Sequence, residues 1–144
     1  MYKVILSVFW LGVLAWLDIR RRRVPVWLLM ISGIIVTSMS FYEIWRGSVN
    51  GMDRLSGILP GVVMLLVAYA TQKAGWADGV ILLLLGLHTG FRESVYSFTL
   101  SMLIISAVSL MLLVLKRVNR NTKLPYLPFL FAGYVVQKAL RLTA

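Results

Sequence analysis

Long apolar runs alternate with short polar breaks along the whole chain, and the breaks carry most of the charge. The run "YKVILSVFWLGVLAWLDI" predicts a first helix, Tyr2–Ile19, and "PVWLLMISGIIVTSMSFYEIW" a second, Pro25–Trp45. The pattern continues with Leu55–Gln72, Trp76–Thr89, Val95–Leu115 and Leu127–Leu140. The expectation is therefore an all-α, polytopic membrane protein with about six transmembrane helices. A span needs about 20 apolar residues, which the second and fifth runs supply. The fourth is shorter, roughly 21 Å at 1.5 Å per residue. It matches a bilayer core of about 30 Å only if the membrane thins or one end lies inside it.

Composition agrees with this reading. Of 144 residues, 60% are hydrophobic and only 14% charged, and the mean hydropathy is +0.85. A soluble domain carries nearer a quarter charged residues. The length, and the lack of a long linker, predict a single membrane-embedded domain over residues 1–144. The apolar N-terminal run resembles a signal peptide in having Lys3 ahead of it. Its main positive cluster follows the run, however, and no small-x-small cleavage pattern precedes that cluster, so a retained helix is expected.

The net charge of +10 raises nucleic acid as a partner, but the basic residues form no stripe interleaved with aromatics. They fall at the ends of apolar runs, where Lys and Arg anchor and orient membrane helices. No nucleic-acid partner is expected; the lipid bilayer is. With six spans and the N-terminus outside, nine basic residues lie in inner loops: Arg20, Arg21, Arg22, Arg23, Lys73, Lys116, Arg117, Arg120 and Lys123. Six lie on the other side: Lys3, Arg46, Arg54, Arg92, Lys138 and Arg141. The bias sets the inner loops in the cytoplasm of a multi-pass protein of the cell's inner membrane. Arg20 to Arg23 read first as topology anchors, a role compatible with binding anionic lipid headgroups.

The chain has no cysteine and one histidine, which excludes disulfides, thiolate chemistry, Cys-based zinc sites and a His cluster. Its five acids then carry the candidate chemistry. Asp18 ends the first run, in "AWLDIRRRRVP", and Asp78 opens the fourth, in "KAGWADGVILLLLGL". The six-span topology puts both at the inner face, while Glu43, Asp53 and Glu93 fall toward the outer one. An ionisable group at membrane depth is costly and marks a candidate functional site with a partner. Two carboxylates in hydrogen-bonding range share a proton, so that one activates water and the other acts as acid. Plain readings stand beside this. Asp18 could be a loop carboxylate paired with the adjacent arginines, and Asp78 a helix N-cap.

Three stretches, in order, resemble the type IV prepilin peptidase family. "LDIRRRRVPVWL" is similar to its first motif, an Asp before a basic stretch and an Ile/Val-Pro, here with Pro25. "GWADGVILLLLGL" resembles the Gly-x-Gly-Asp motif, and "LPYLPFLFAGY" the Pro-Phe-x-Pro-Phe segment that opens the last helix. The resemblance implies an aspartic endopeptidase that removes the leader peptide of type IV prepilins or pilin-like secretion proteins at the cytoplasmic membrane face. It implies Asp18 and Asp78 as the catalytic pair, with Gly75 on the first motif glycine. Two positions depart: Ala77 replaces the second glycine, and Val26 stands where relatives often have Asn. Bifunctional relatives also methylate the product through a domain with a tetracysteine zinc site. With no cysteine here, the short peptidase-only branch is expected, with no cofactor and no S-adenosylmethionine.

Pro125 and Pro128 mark a helix start and are candidate substrate-binding residues. His88 reads as an interfacial or capping residue. The stretch "RGSVNGMDRLSG" reads as an ordinary turn in which Asp53 pairs with Arg54. Gly57, Gly61 and Ala68 recur at roughly helical spacing, as residues that let helices pack closely do. A non-catalytic membrane scaffold or small transporter is the alternative of a different class, in which the aspartates bind a proton or cation. An inactive relative of the family, on account of Ala77, is another.

Overall fold

The computed structural model describes residues 2–21, 24–71, 75–115 and 125–143, and among them every element is helical. The helices are α1 (Tyr2–Arg21), α2 (Val26–Trp45), α3 (Gly51–Ser56), α4 (Leu59–Thr71), α5 (Trp76–Thr89), α6 (Phe91–Val114) and α7 (Leu127–Thr143). The six predicted helices are all present, with the third divided in two. Proline explains the division. Pro60 has no N–H to donate to Ser56, and its ring crowds the carbonyl four residues back. The chain therefore steps out of α-helix at Gly57 and Ile58 and re-enters at Leu59. Of the stretch expected to be a turn, residues 46–50 form one, and Gly51–Ser56 forms α3. Arg22, Arg23, Lys73, Lys116, Arg117, Arg120 and Lys123, expected to fix the topology, lie outside the described residues, as does Leu124 of the Pro-rich segment.

Among the described residues three helical segments are long and apolar enough to cross a membrane: Val26–Trp45, Gly51–Thr71 and Phe91–Val114. Their outward faces carry large apolar side chains, among them Ile34, Phe41, Leu66, Leu103 and Leu110. Apolar surface on that scale has no polar coat for water, and lipid is the solvent that suits it. α5 remains a shorter apolar helix of 14 residues.

Two compact units make up the chain. The first holds residues 1–23 and 97–144, the second residues 24–96. In the first, α1 packs along α7 and runs opposite to it: Gly12 lies against the Phe131 ring, and Asp18 meets Leu127. Ser7, Leu11, Leu14, Ala15 and Asp18 are buried on one face of α1, at the three- and four-residue spacing of a helix stripe. α6 joins α7 through polar groups. Ser97 donates its hydroxyl to Gln137 Oε1, and Gly133 lets α7 approach the backbone of Ser97 and Ser101.

In the second unit α5 is the centre, packed against α2, α3 and α4. Its Gly79, Ile81, Leu82, Leu84, Leu85, Gly86 and His88 are buried. α4 and α5 meet through glycines. At Gly61 a Cβ would run into the backbone of Leu83, and at Gly57 into the carbonyl of Gly86. Gly57, Gly61 and the buried Ala68 thus serve the close packing expected of them. Gly90, at φ +94, ends α5 by a conformation that glycine adopts freely. α6 starts at the next residue, four earlier than the apolar pattern suggests, because Arg92, Glu93 and Ser94 satisfy a helical backbone as well as apolar residues do.

Candidate functional site

Asp18 occupies the last turn of α1 and is buried, with 8% of its surface exposed. It lies within a helix and not in a loop, as its plain reading had it; Arg22 and Arg23, two of the arginines it was expected to meet, lie outside the described residues. Its carboxylate Oδ2 accepts the backbone N–H of Leu127 at 3.3 Å. Leu127 is the first residue of α7, and its N–H is one of those a helix cannot satisfy internally. Asp18 therefore supplies, from another helix, the acceptor that a capping side chain usually provides locally. It also places an acidic group at the positive end of the α7 dipole.

The prolines complete that end of α7. Pro128 stands in the first turn, where a missing N–H costs nothing. The Tyr126 carbonyl accepts the N–H groups of Phe129 and Leu130, each at 3.0 Å. Pro125 and Pro128 are half-buried, while Tyr126 and Leu127 between them are buried. The structure thus brings the Pro-rich segment to Asp18 within the first unit.

Asp78 belongs to the second unit and is positioned by its own neighbours. Gly75, not Asp78, is the N-cap residue of α5, with φ −75 and ψ 129. This corrects the reading of Asp78 as a cap: it lies in the first turn, three residues further on. Its N–H donates to the Gly75 carbonyl at 3.2 Å. The side chain folds back over the glycine, since a Cβ on residue 75 would lie 2.7 Å from Asp78 Oδ2. The first motif glycine therefore leaves room for the motif carboxylate. Ala77 lies between them as an ordinary helical residue, half-buried. Alanine is the best helix former and glycine a poor one, so the backbone here makes no demand for the missing second glycine.

Tyr69 and Trp76 meet edge to face at 6.2 Å between ring centroids, tying the end of α4 to the start of α5. Pro25 is the N-cap residue of α2, its carbonyl accepting Leu28 N–H at 3.0 Å. Val26, in the position where relatives often carry Asn, points outward with 70% exposure.

Sequence reasoning missed two features. Arg54 Nη2 bonds Glu43 Oε2 at 3.0 Å, and both residues are buried, so Arg54 pairs with Glu43 and not with Asp53. The signal was available in two opposite charges flanking a turn, but adjacency favoured the wrong partner. The second is the buried polar row Ser97, Ser101 and Gln137. The three-to-four spacing of serines in "ESVYSFTLSM" could have disclosed half of it. His88, expected at an interface or as a cap, is buried in the last turn of α5.

The family model described as the type IV leader peptidase family matches residues 5–110. That span includes Asp18, Pro25, Gly75, Ala77 and Asp78, and ends before Pro125 and Pro128. No curated protein and no solved structure matches the chain.

Proposed function

The chain belongs to the type IV leader peptidase family, and on that premise we propose that it is an aspartic endopeptidase of the cell's inner (cytoplasmic) membrane. Its substrates are type IV prepilins or pilin-like secretion proteins, whose leader it removes at the cytoplasmic face. Asp18 and Asp78 are the catalytic pair. The observation that carries this reading is that the family match spans both aspartate motifs, while each aspartate sits at a helix end rather than in a loop. The basic run Arg20 to Arg23 beside Asp18, with Lys73 ahead of Asp78, supports the cytoplasmic side.

In the proposed reaction one carboxylate is ionised and the other protonated. The ionised one takes a proton from water as its oxygen attacks the scissile carbonyl carbon. The protonated one gives its proton to the carbonyl oxygen, producing a neutral gem-diol. The diol collapses as the C–N bond breaks, and a proton passes to the departing amine. Gly75 gives the Asp78 carboxylate its place, and Leu127 N–H does so for Asp18. Pro125 and Pro128 give the substrate backbone a place to lie, and Pro25 belongs to the first motif. The absence of cysteine supports leader cleavage without methyl transfer, and no cofactor takes part.

Purified protein in lipid or detergent, mixed with a prepilin, is expected to release the leader. Asp18→Asn and Asp78→Asn each abolish release while expression and membrane insertion stay at wild-type levels. Full cleavage by either variant overturns the assignment.

A further inference from the structure

Asp18 depends on one backbone N–H, and what fixes that N–H lies on a third helix. Leu127 N–H reaches the carboxylate at 3.3 Å, just beyond the usual 2.7–3.2 Å range of such bonds, roughly speaking. A shift of α7 by a few tenths of an ångström would lose it.

Tyr126, the preceding residue, faces two ways. Its carbonyl starts the hydrogen bonding of α7 through Phe129 and Leu130, and its hydroxyl lies 2.8 Å from Ser101 Oγ on α6. Ser101 Oγ also lies 2.7 Å from the Phe98 carbonyl, to which it donates. A serine hydroxyl has one proton. With that proton on Phe98, Tyr126 O–H is the donor to Ser101. Both residues are buried, Tyr126 at 4% and Ser101 at 0% exposure. A phenylalanine would fill the same space with no hydroxyl to satisfy, whereas a buried hydroxyl is costly unless bonded. Packing alone therefore does not account for the pair. A directed bond from the residue that leads into α7 to a fixed point on α6 sets the height and rotation of Leu127 N–H.

We propose that Tyr126 and Ser101 are positioning residues for the Asp18 carboxylate, acting through the start of α7. The proposal rests on the reading of Asp18 as a catalytic group, and it is tested so that the two can fail separately. Tyr126→Phe and Ser101→Ala are each expected to lower kcat about tenfold, in line with the cost of misplacing a reacting group. KM should stay within about twofold, the mark of an interaction spent on chemistry rather than on binding. The double variant should be no worse than either single one, because both remove the same bond.

Hydrogen exchange at the Leu127 amide gives a readout independent of cleavage. It should quicken in Tyr126→Phe and Ser101→Ala as it does in Asp18→Ala, with the α1 amides unchanged. An unaltered Leu127 exchange rate in Tyr126→Phe overturns the positioning role, whether or not the protein cleaves a leader. So does wild-type kcat in that variant when Asp18→Asn is inactive. Faster exchange in a protein that cleaves nothing upholds the positioning role and removes the peptidase reading instead.

Discussion

The two aspartates are held in opposite ways. Asp78 is placed by a glycine three residues before it, within a single helical turn. Asp18 is placed by the N–H of a residue 109 positions away, on a helix that runs the other way. The units around them differ in kind as well. The unit of Asp18 joins its helices through hydroxyl and amide groups, Ser97 with Gln137 and Ser101 with Tyr126. The unit of Asp78 adds to a hydroxyl link, Ser40 to the Leu87 carbonyl, the tightest glycine contacts, at Gly57 and Gly61, and the buried Glu43–Arg54 ion pair. One carboxylate inherits its position from local backbone geometry; the other inherits it from tertiary assembly. Disturbing the packing of α1 on α7 should therefore reach Asp18.

Substitutions can break this contrast. The largest effect should come from Arg54→Leu, which leaves the Glu43 carboxylate buried without its cation, at a cost of about 3–5 kcal/mol. Unfolding of the purified protein in mixed micelles would measure it, and Glu43→Leu/Arg54→Leu should recover most of the loss. A full loss in the double variant would mean that shape, not charge, matters there. Gly61→Ala comes next. Its methyl meets the Leu83 backbone, which cannot rotate away, and overpacking of this kind costs about 1–3 kcal/mol. Retained stability would show that α4 and α5 separate easily, contrary to glycine-based packing.

Gly75→Ala tests local placement. The new methyl would push on Asp78 Oδ2, and leader cleavage should drop about tenfold, since small misplacements of reacting groups are expensive. The melting temperature should hardly move, and a large fall in it would make Gly75 a folding residue instead. Ser97→Ala should have the smallest effect. Hydrogen bonds between membrane helices average about 0.6 kcal/mol, so the variant should unfold only slightly earlier. A loss several times larger would put the polar row on a par with the glycine contacts.

What the sequence made legible follows the same division. Helix positions could be read because apolar runs and charged breaks are local, and the Gly-x-x-Asp stretch carried its geometry with it. Asp18 was legible as a residue of interest but not as a helix cap, because Leu127 is joined to it only by folding. The Glu43–Arg54 pair escaped for a similar reason. A turn and α3 bring the two together, and charge adjacency pointed at Asp53. The division of the third helix was written in Pro60, whose effect on the preceding turn outweighs the apolar character of Ile58.

The buried ion pair also bears on how the chain enters a bilayer. A lone Glu43 or Arg54 carried into hydrocarbon on a separate helix would meet a penalty of roughly 2.5–3.5 kcal/mol at full depth. Joined across the short stretch between Trp45 and Gly51, the two charges can cross as a neutral unit. α2 and the α3–α4 segment are thus suited to insert together as a helical hairpin.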